Sequence, residues 1–116
     1  MVEPFISHRV DGRVRNELTA DAMIRAMTVS AGLGATSAHT WLKVPIVDDM
    51  ERAMAATTLP AVILGGEVGQ DQDAVFANWA KALALPTVQG LVIGRSLLYP
   101  PGDDVAAAVD AAVGLL

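Results

Sequence analysis

Short apolar runs alternate with longer amphipathic segments along the whole chain. The apolar runs cover 2–7, 40–47, 60–64 and 88–94, and nearly continuous apolar character is typical of parallel strands covered on both faces. Between the runs, apolar residues recur at helical intervals, which predicts amphipathic helices. The pattern therefore predicts an α/β fold of four consecutive βα units.

Capping residues and apolar faces support the predicted helices. Thr19 stands where the N-cap of the first helix is expected, and Asp48 and Asp49 can cap the second helix. The third helix has one apolar face, made of Phe76, Trp79, Ala80 and Leu83. Asp103 and Asp104 precede the last helix, whose apolar stripe is Val105, Val109, Ala112 and Leu116.

Right-handed βα repetition leaves two main architectures, an open doubly wound sheet and part of a (β/α)8 barrel. Parallel strands in the order 1-2-3-4 would indicate a half-barrel, and the order 2-1-3-4 would indicate a flavodoxin-like binding domain. The chain contains no linker-like or low-complexity stretch. We therefore expect 1–116 to form a single domain.

Composition narrows the possible functions. The 116 residues carry a net charge of −5 and 53% apolar residues, and they include no cysteine. An acidic chain lacks the clustered cations that nucleic acids or anionic membranes require, and without cysteine there is no disulfide scaffold or thiolate site. No apolar run approaches the roughly 18 residues of a membrane span, and no signal peptide is apparent. These features predict a cytoplasmic protein that binds neither nucleic acid nor membrane.

Lys43 and Glu3 are the candidate catalytic residues. Lys43 lies inside an apolar strand, where lost hydration would favour the neutral, nucleophilic amine. Glu3 lies on the first predicted strand and could transfer protons. Each residue also has a purely structural alternative. Lys43 could form an ion pair with Glu3 or reach solvent from the end of the strand, and Glu3 could be an ordinary exposed acid.

Glycines and an arginine follow the last two predicted strands, where parallel α/β folds bind ligands. Gly65 and Gly66 could let backbone N–H groups approach a phosphate, and Gly94 precedes Arg95, a natural partner for phosphate or carboxylate. The alternatives are a tight βα turn and a surface ion pair of Arg95 with Asp103 or Glu67. His8 and His39 lack ligand spacing, so no metal site is predicted.

Taken together, four short motifs resemble the C-terminal half of class I, Schiff-base aldolases with a (β/α)8 barrel, the deoxyribose-phosphate, tagatose-bisphosphate and archaeal-type fructose-bisphosphate aldolases. The resemblance covers essentially the whole chain and would equate it with strands five to eight. The motifs occur in the expected order: Val2-Glu3-Pro4-Phe5, Trp41-Leu42-Lys43-Val44-Pro45, Leu64-Gly65-Gly66 and Ile93-Gly94-Arg95.

The resemblance implies a lyase that cleaves or forms a C–C bond in a phosphorylated sugar. Lys43 would form the Schiff base and Glu3 would transfer protons. The phosphate would bind at the glycines and arginine of the last two strands: Gly65, Gly66, Gly94 and Arg95. The resemblance implies no metal and no organic cofactor.

The chain departs from the aldolase pattern in two respects. After Lys43 it reads Val44-Pro45-Ile46-Val47-Asp48, in place of the Tyr-Thr-Gly-Asp stretch of the archaeal enzymes. Strands one to four are absent, so we expect a longer parent chain, a homo-oligomer or pairing with an N-terminal half-barrel. The competing functions are a non-catalytic phosphate-binding fragment and the flavodoxin-like domain.

Overall fold

The computed structural model describes residues 1–66 and 71–116 of the protein. Its five strands form two sheets: β1 Ser7–Val10, β2 Arg13–Asn16, β3 Leu42–Val44, β4 Ala61–Leu64 and β5 Val88–Val92. Helices follow most strands: α1 Ala20–Ala31, α2 Met50–Ala55, α3 Gln72–Leu83, α4 Arg95–Leu98 and α5 Val105–Val113.

The first sheet is an antiparallel hairpin of β1 and β2. Val10 pairs with Arg13, so only Asp11 and Gly12 form the loop, with φ angles of 49° and 77°. Positive φ at both positions defines the type I′ turn, and Asp-Gly is one of its preferred sequences. All eight strand residues of the hairpin are exposed.

The second sheet is parallel, with the strand order β3-β4-β5. In its register Lys43 faces Val62, and Val62 faces Gly90. Val2 adds one parallel bridge to Leu42 at the outer side of β3. Its N–H donates to the Trp41 carbonyl and its own carbonyl accepts from the Lys43 N–H, both at 2.8 Å.

One face of the parallel sheet holds the core. Leu42 pairs with Ala61 and Val44 with Ile63, and all four are completely buried. Helix residues pack against them, including the following buried side chains: Met23, Met27, Met54, Trp79, Ala82 and Ala112. Burial of this face positions the carboxyl ends of the strands that form the site described below.

Three helices, α1, α2 and α5, begin at capping residues that the sequence predicts. Thr19 accepts a hydrogen bond from the Ala22 N–H, and Asp49 accepts one from the Arg52 N–H. Asp104 caps α5 in the same way. These caps satisfy backbone donors that have no partner inside the helix, and the predicted helix starts are confirmed.

The predicted half (β/α)8 barrel is wrong. Segment 2–7 does not form a strand: Val2 contributes a single bridge, and Pro4 has no N–H with which to continue a ladder. The Asp11-Gly12 turn then folds the chain into a separate antiparallel sheet. The described strands therefore form a two-strand antiparallel sheet and a three-strand parallel sheet, and the flavodoxin-like 2-1-3-4 order is not found among them.

Within residues 1–66 and 71–116, no helix is long and apolar enough to cross a membrane.

Candidate functional site

A cleft of about 800 Å³ opens between the hairpin and the carboxyl ends of the parallel strands. Its lining comes from separate parts of the chain: Glu3 and Phe5 from the N-terminal segment, residues 13–16 from β2, and Pro45 and Ile46 after β3. Further lining residues come from the end of β4, from α3 and from the start of α4: Leu64, Gly65, Gly66, Asn78, Trp79 and Arg95.

The charge of this cleft differs from that of the whole chain. Arg13, Arg15 and Arg95 line it, whereas Glu3 is the one carboxylate among its described lining residues, a formal balance of +2. The whole chain has a net charge of −5. Low-dielectric walls concentrate the field of such a cluster, so the cleft is suited to an anion.

Among residues 1–66 and 71–116, Arg13, Arg15 and Arg95 have no ion-pair partner. In the part of the chain that the structure describes, the basic side chains in contact with carboxylates are those of His8, Lys43 and Arg52. Arg95 therefore does not pair with Asp103, one of its two predicted alternatives. Glu67, the other alternative, lies outside the described residues.

Gly65 and Gly66 are glycines for two different physical reasons. A Cβ on Gly65 would lie 2.7 Å from Cγ2 of Ile93, so this position permits the close approach of the ends of β4 and β5. Gly66 has a φ of +73°, and no described residue lies within 4 Å of the position that a Cβ would take there. The Ser96 hydroxyl donates to the Gly65 carbonyl at 3.1 Å and connects α4 to this turn. The turn thus has a structural role and also lines the cleft.

Lys43 and Glu3 form an ion pair, with 2.9 Å between Nζ and Oε2. Lys43 is held between two completely buried residues, Leu42 and Val44, while its own side chain retains a quarter of its exposure. The sequence left two roles open for Lys43, a nucleophile or a partner of Glu3 in an ion pair. The contact seen in the structure is the ion pair. Glu3 also lines the cleft, so the pair joins the parallel sheet to the site.

The structure brings most of the predicted site residues together. Glu3, Gly65, Gly66 and Arg95 line one cleft, and Lys43 reaches it through its contact with Glu3. Gly94 precedes Arg95 as the N-cap residue of α4, without a side chain to cap it, and is not a lining residue. Whether any of these residues binds a ligand or takes part in catalysis stays a prediction.

The sequence interpretation missed the hairpin arginines. No functional role was predicted for Arg13 or Arg15 from the sequence. The missed signal was Val10-Asp11-Gly12-Arg13, because Asp-Gly between two strand-like runs indicates a two-residue hairpin. With that signal, the i, i+2 spacing of Arg13 and Arg15 would have placed both on one face of a strand.

The base of the hairpin is fixed by Glu17. Its N–H donates to the Ile6 carbonyl at 2.9 Å, and its carboxylate accepts from Nε2 of His8, also at 2.9 Å. The hydrogen bond from His8, followed by one from Thr19, lowers the pKa of Glu17 below its ordinary value. The ionised carboxylate is therefore the form that holds the hairpin beside the cleft.

Between α1 and α2, Arg52 connects two carboxylates. Hydrogen bonds to Asp21 and then Asp49 raise the pKa of its guanidinium above the ordinary value. Asp21 belongs to α1 and Arg52 to α2, so this contact joins two helices and has a structural role.

Among the residues that the structure describes, no group of three or more His, Asp or Glu side chains could hold a metal ion.

A family model described as Cgl0159-like matches residues 1–113. The chain belongs to the Cgl0159-like family. The crystal structure of Cgl0159 from Corynebacterium glutamicum superposes on it with a TM-score of 0.93 and 54% sequence identity. That superposition covers 97% of this chain and 38% of the Corynebacterium chain, so the chain spans well under half the length of this family member. No curated protein matches the chain.

These comparisons overturn the predicted identity and activity. The resemblance to class I aldolases is wrong, because the matching family and the similar structure are both Cgl0159-like. The predicted sugar-phosphate lyase activity is therefore wrong as well, because it was inferred from that resemblance. The four motifs were misleading because tight glycine turns and charged residues at strand ends are features of many parallel sheets.

Proposed function

We propose that the cleft binds a small anionic ligand, a phosphate monoester or a carboxylate, through Arg13, Arg15 and Arg95. The observation that carries this proposal is the gathering of three arginines around one cleft in a chain of net charge −5. Guanidinium groups offer paired donors that match phosphate and carboxylate oxygens. Arg13 and Arg15 lie on β2, whereas Arg95 lies at the start of α4, so the three side chains can contact an anion from two sides.

The glycine turn adds a second kind of contact. No atom of residues 1–66 and 71–116 lies within 4 Å of the position that a Cβ would take at Gly66, so among these residues nothing shields its backbone from a ligand. Arg95 lines the same cleft as Gly65 and Gly66. In this proposal the anionic group lies between the glycine turn and the arginines.

Glu3, which is paired with Lys43, offers a hydrogen-bond acceptor to the part of the ligand that does not contact the arginines. Glu3 lines the cleft and accepts a hydrogen bond from Lys43, and its remaining lone pairs can accept from ligand hydroxyl or amine groups. We propose that this carboxylate orients the uncharged part of the ligand. The predicted sugar component and the predicted catalytic roles of the two residues stay predictions.

Isothermal titration calorimetry with inorganic phosphate and with glycerol phosphate tests the proposal. Arg95→Gln should weaken binding about tenfold or more, since a hydrogen bond to a charged group contributes about 1.5–3 kcal/mol. Arg25→Gln is the matched control, because Arg25 is an exposed arginine of α1 outside the cleft lining. Its affinity should stay within twofold of the unsubstituted protein.

Two results would contradict the proposal. One is the absence of binding at millimolar phosphate and glycerol phosphate by a protein with intact circular dichroism. The other is an equal loss for Arg25→Gln and Arg95→Gln, which would indicate general attraction of anions to surface cations. Arg13→Gln and Arg15→Gln should each show an intermediate loss if the hairpin contributes.

A further inference from the structure

The hairpin of β1 and β2 is attached to the rest of the protein at its two ends. Before it, the backbone of Val2 pairs with β3, and after it Thr19 caps α1. β1 and β2 pack mainly against each other. In the part of the chain that the structure describes, the side-chain hydrogen bonds of 7–17 all stay within 7–19. The hairpin is therefore an arm beside the body of the protein.

Internal contacts give this hairpin a structure of its own. The Ser7 hydroxyl donates to Oδ1 of Asn16 at 2.8 Å, and Glu17 closes the base through the Ile6 carbonyl and the His8 ring. All eight strand residues are nevertheless exposed. An element that holds its own shape but has little buried contact with the body can rotate as a unit about the short segments that flank it.

The hairpin supplies the positive charge of one side of the cleft. Arg13 and Arg15 line that side, and Arg95 lines the other. None of the three contacts a carboxylate of residues 1–66 and 71–116, and Glu3, the one described carboxylate of the lining, is engaged by Lys43. Like charges on facing sides of a cleft repel each other. This repulsion favours an open cleft in the absence of a ligand.

Apolar side chains along the cleft favour the opposite arrangement. Val14 of the hairpin and Leu18 just after it line the cleft, and each is more than half exposed. The body contributes Ile46 and Val75 to the same lining. Movement of the hairpin toward the body would remove apolar surface of both from water, which is favourable. The cleft thus combines a charge repulsion that opens it with an apolar contact that closes it.

We propose that the hairpin closes over the cleft when an anion binds between its arginines and Arg95. This inference rests on the proposed anion site and concerns how that site opens and closes. An anion between the two sides accepts hydrogen bonds from guanidinium groups on both, so the repulsion becomes an attraction through the ligand. The open arrangement admits the ligand, and the ligand stabilises the closed arrangement because it makes more contacts there.

A distance measured between the hairpin and α3 tests this proposal. The chain has no cysteine, so Val10→Cys and Ala74→Cys would carry the only two spin labels. Val10 ends β1, Ala74 is exposed on α3, and neither is a described lining residue. In double electron–electron resonance, glycerol phosphate should shorten the mean distance by more than about 2 Å, the displacement that marks a loop rearrangement.

A second label pair controls for changes in the body of the protein. Val29→Cys/Ala74→Cys places both labels on helices, at exposed positions of α1 and α3. Glycerol phosphate should leave this distance unchanged, because neither label lies on the hairpin.

Arginine variants of the first label pair test the cause of closure. Arg13→Gln/Arg15→Gln should abolish the shortening, because it removes the guanidinium groups through which the ligand attracts the hairpin. Arg9→Gln is the matched control: Arg9 is an exposed arginine of β1, and none of the described lining residues comes from that strand. This variant should shorten as much as the unsubstituted protein.

Calorimetry on the same labelled proteins separates this proposal from the anion site on which it rests. Binding of glycerol phosphate with an unchanged distance would overturn closure and leave the anion site standing. No binding at millimolar glycerol phosphate would overturn both. Shortening that persists in Arg13→Gln/Arg15→Gln, or that disappears in Arg9→Gln, would overturn closure through the two arginines of β2.

Discussion

The hairpin and the parallel sheet are built in opposite ways. Leu42, Val44, Ala61 and Ile63 on the parallel strands are completely buried, whereas all residues of β1 and β2 are exposed. Burial of apolar area stabilises the first region. The second depends on its turn, its ladder and polar contacts at its base.

This difference assigns the two regions different tasks. The buried sheet fixes the position of the glycine turn after β4 and of Lys43 on β3. The exposed hairpin places Arg13 and Arg15 at the other side of the same cleft. Substitutions in the buried parallel sheet should therefore change the stability of the whole protein. Substitutions in the exposed hairpin should change only the local order of the hairpin.

The largest effect is expected in the core. Ile63→Ala should lower the free energy of unfolding by about 2–5 kcal/mol, since it removes buried methyl groups and leaves a cavity. Val14→Ala, at a hairpin residue that is 65% exposed, should change it by less than about 0.5 kcal/mol. Urea denaturation followed by Trp fluorescence measures both, and similar losses would show that the hairpin belongs to the same cooperative core.

A smaller and local effect is expected in the turn. Gly12→Ala places a Cβ on a residue with a φ of +77°, which costs about 1 kcal/mol. Hairpin amides should then exchange about fivefold faster, because every 1.4 kcal/mol corresponds to a factor of ten, while amides of β4 keep their rates. Asp11→Asn is the control, since Asn-Gly suits the same turn. If the hairpin amides of Gly12→Ala exchanged as slowly as those of the unsubstituted protein, the hairpin would not depend on this turn.

The smallest effect is expected from Glu17 and depends on pH. Its pKa is lowered in the folded protein, chiefly by His8, so its contribution is present above the pKa of the unfolded chain and is lost as pH falls through the folded pKa. Glu17→Gln should therefore loosen the hairpin at neutral pH and match the unsubstituted protein at strongly acidic pH. Amide exchange corrected for its intrinsic pH dependence measures this, and a difference that persists in acid would exclude the carboxylate as its cause.

Local sequence signals located much of the parallel region. The run 60–64 corresponds to β4 at Ala61–Leu64, and the run 88–94 corresponds to β5 at Val88–Val92. Thr19 and Asp49 cap the predicted helices. These features depend on neighbouring residues, because a helix cap is a contact over three positions and a buried strand is a short apolar run.

The α5 helix shows where pattern alone is insufficient. Val105, Val109, Ala112 and Leu116 form one stripe in the sequence, as a buried face would. In the structure Ala112 is buried and Val109 is exposed. A helix of alanines and valines has apolar residues on nearly every side, so only packing partners decide which side is covered.

By itself, the sequence located the three apolar strands β3, β4 and β5, the caps of three helices and the acidic charge of this protein, since each follows from adjacent residues. Only the tertiary structure decided that the arginines of the hairpin lie across a cleft from Arg95. It also decided that Lys43 pairs with Glu3, forty positions away in the chain. Contacts of this range depend on how complete elements pack, and no local pattern of residues encodes them.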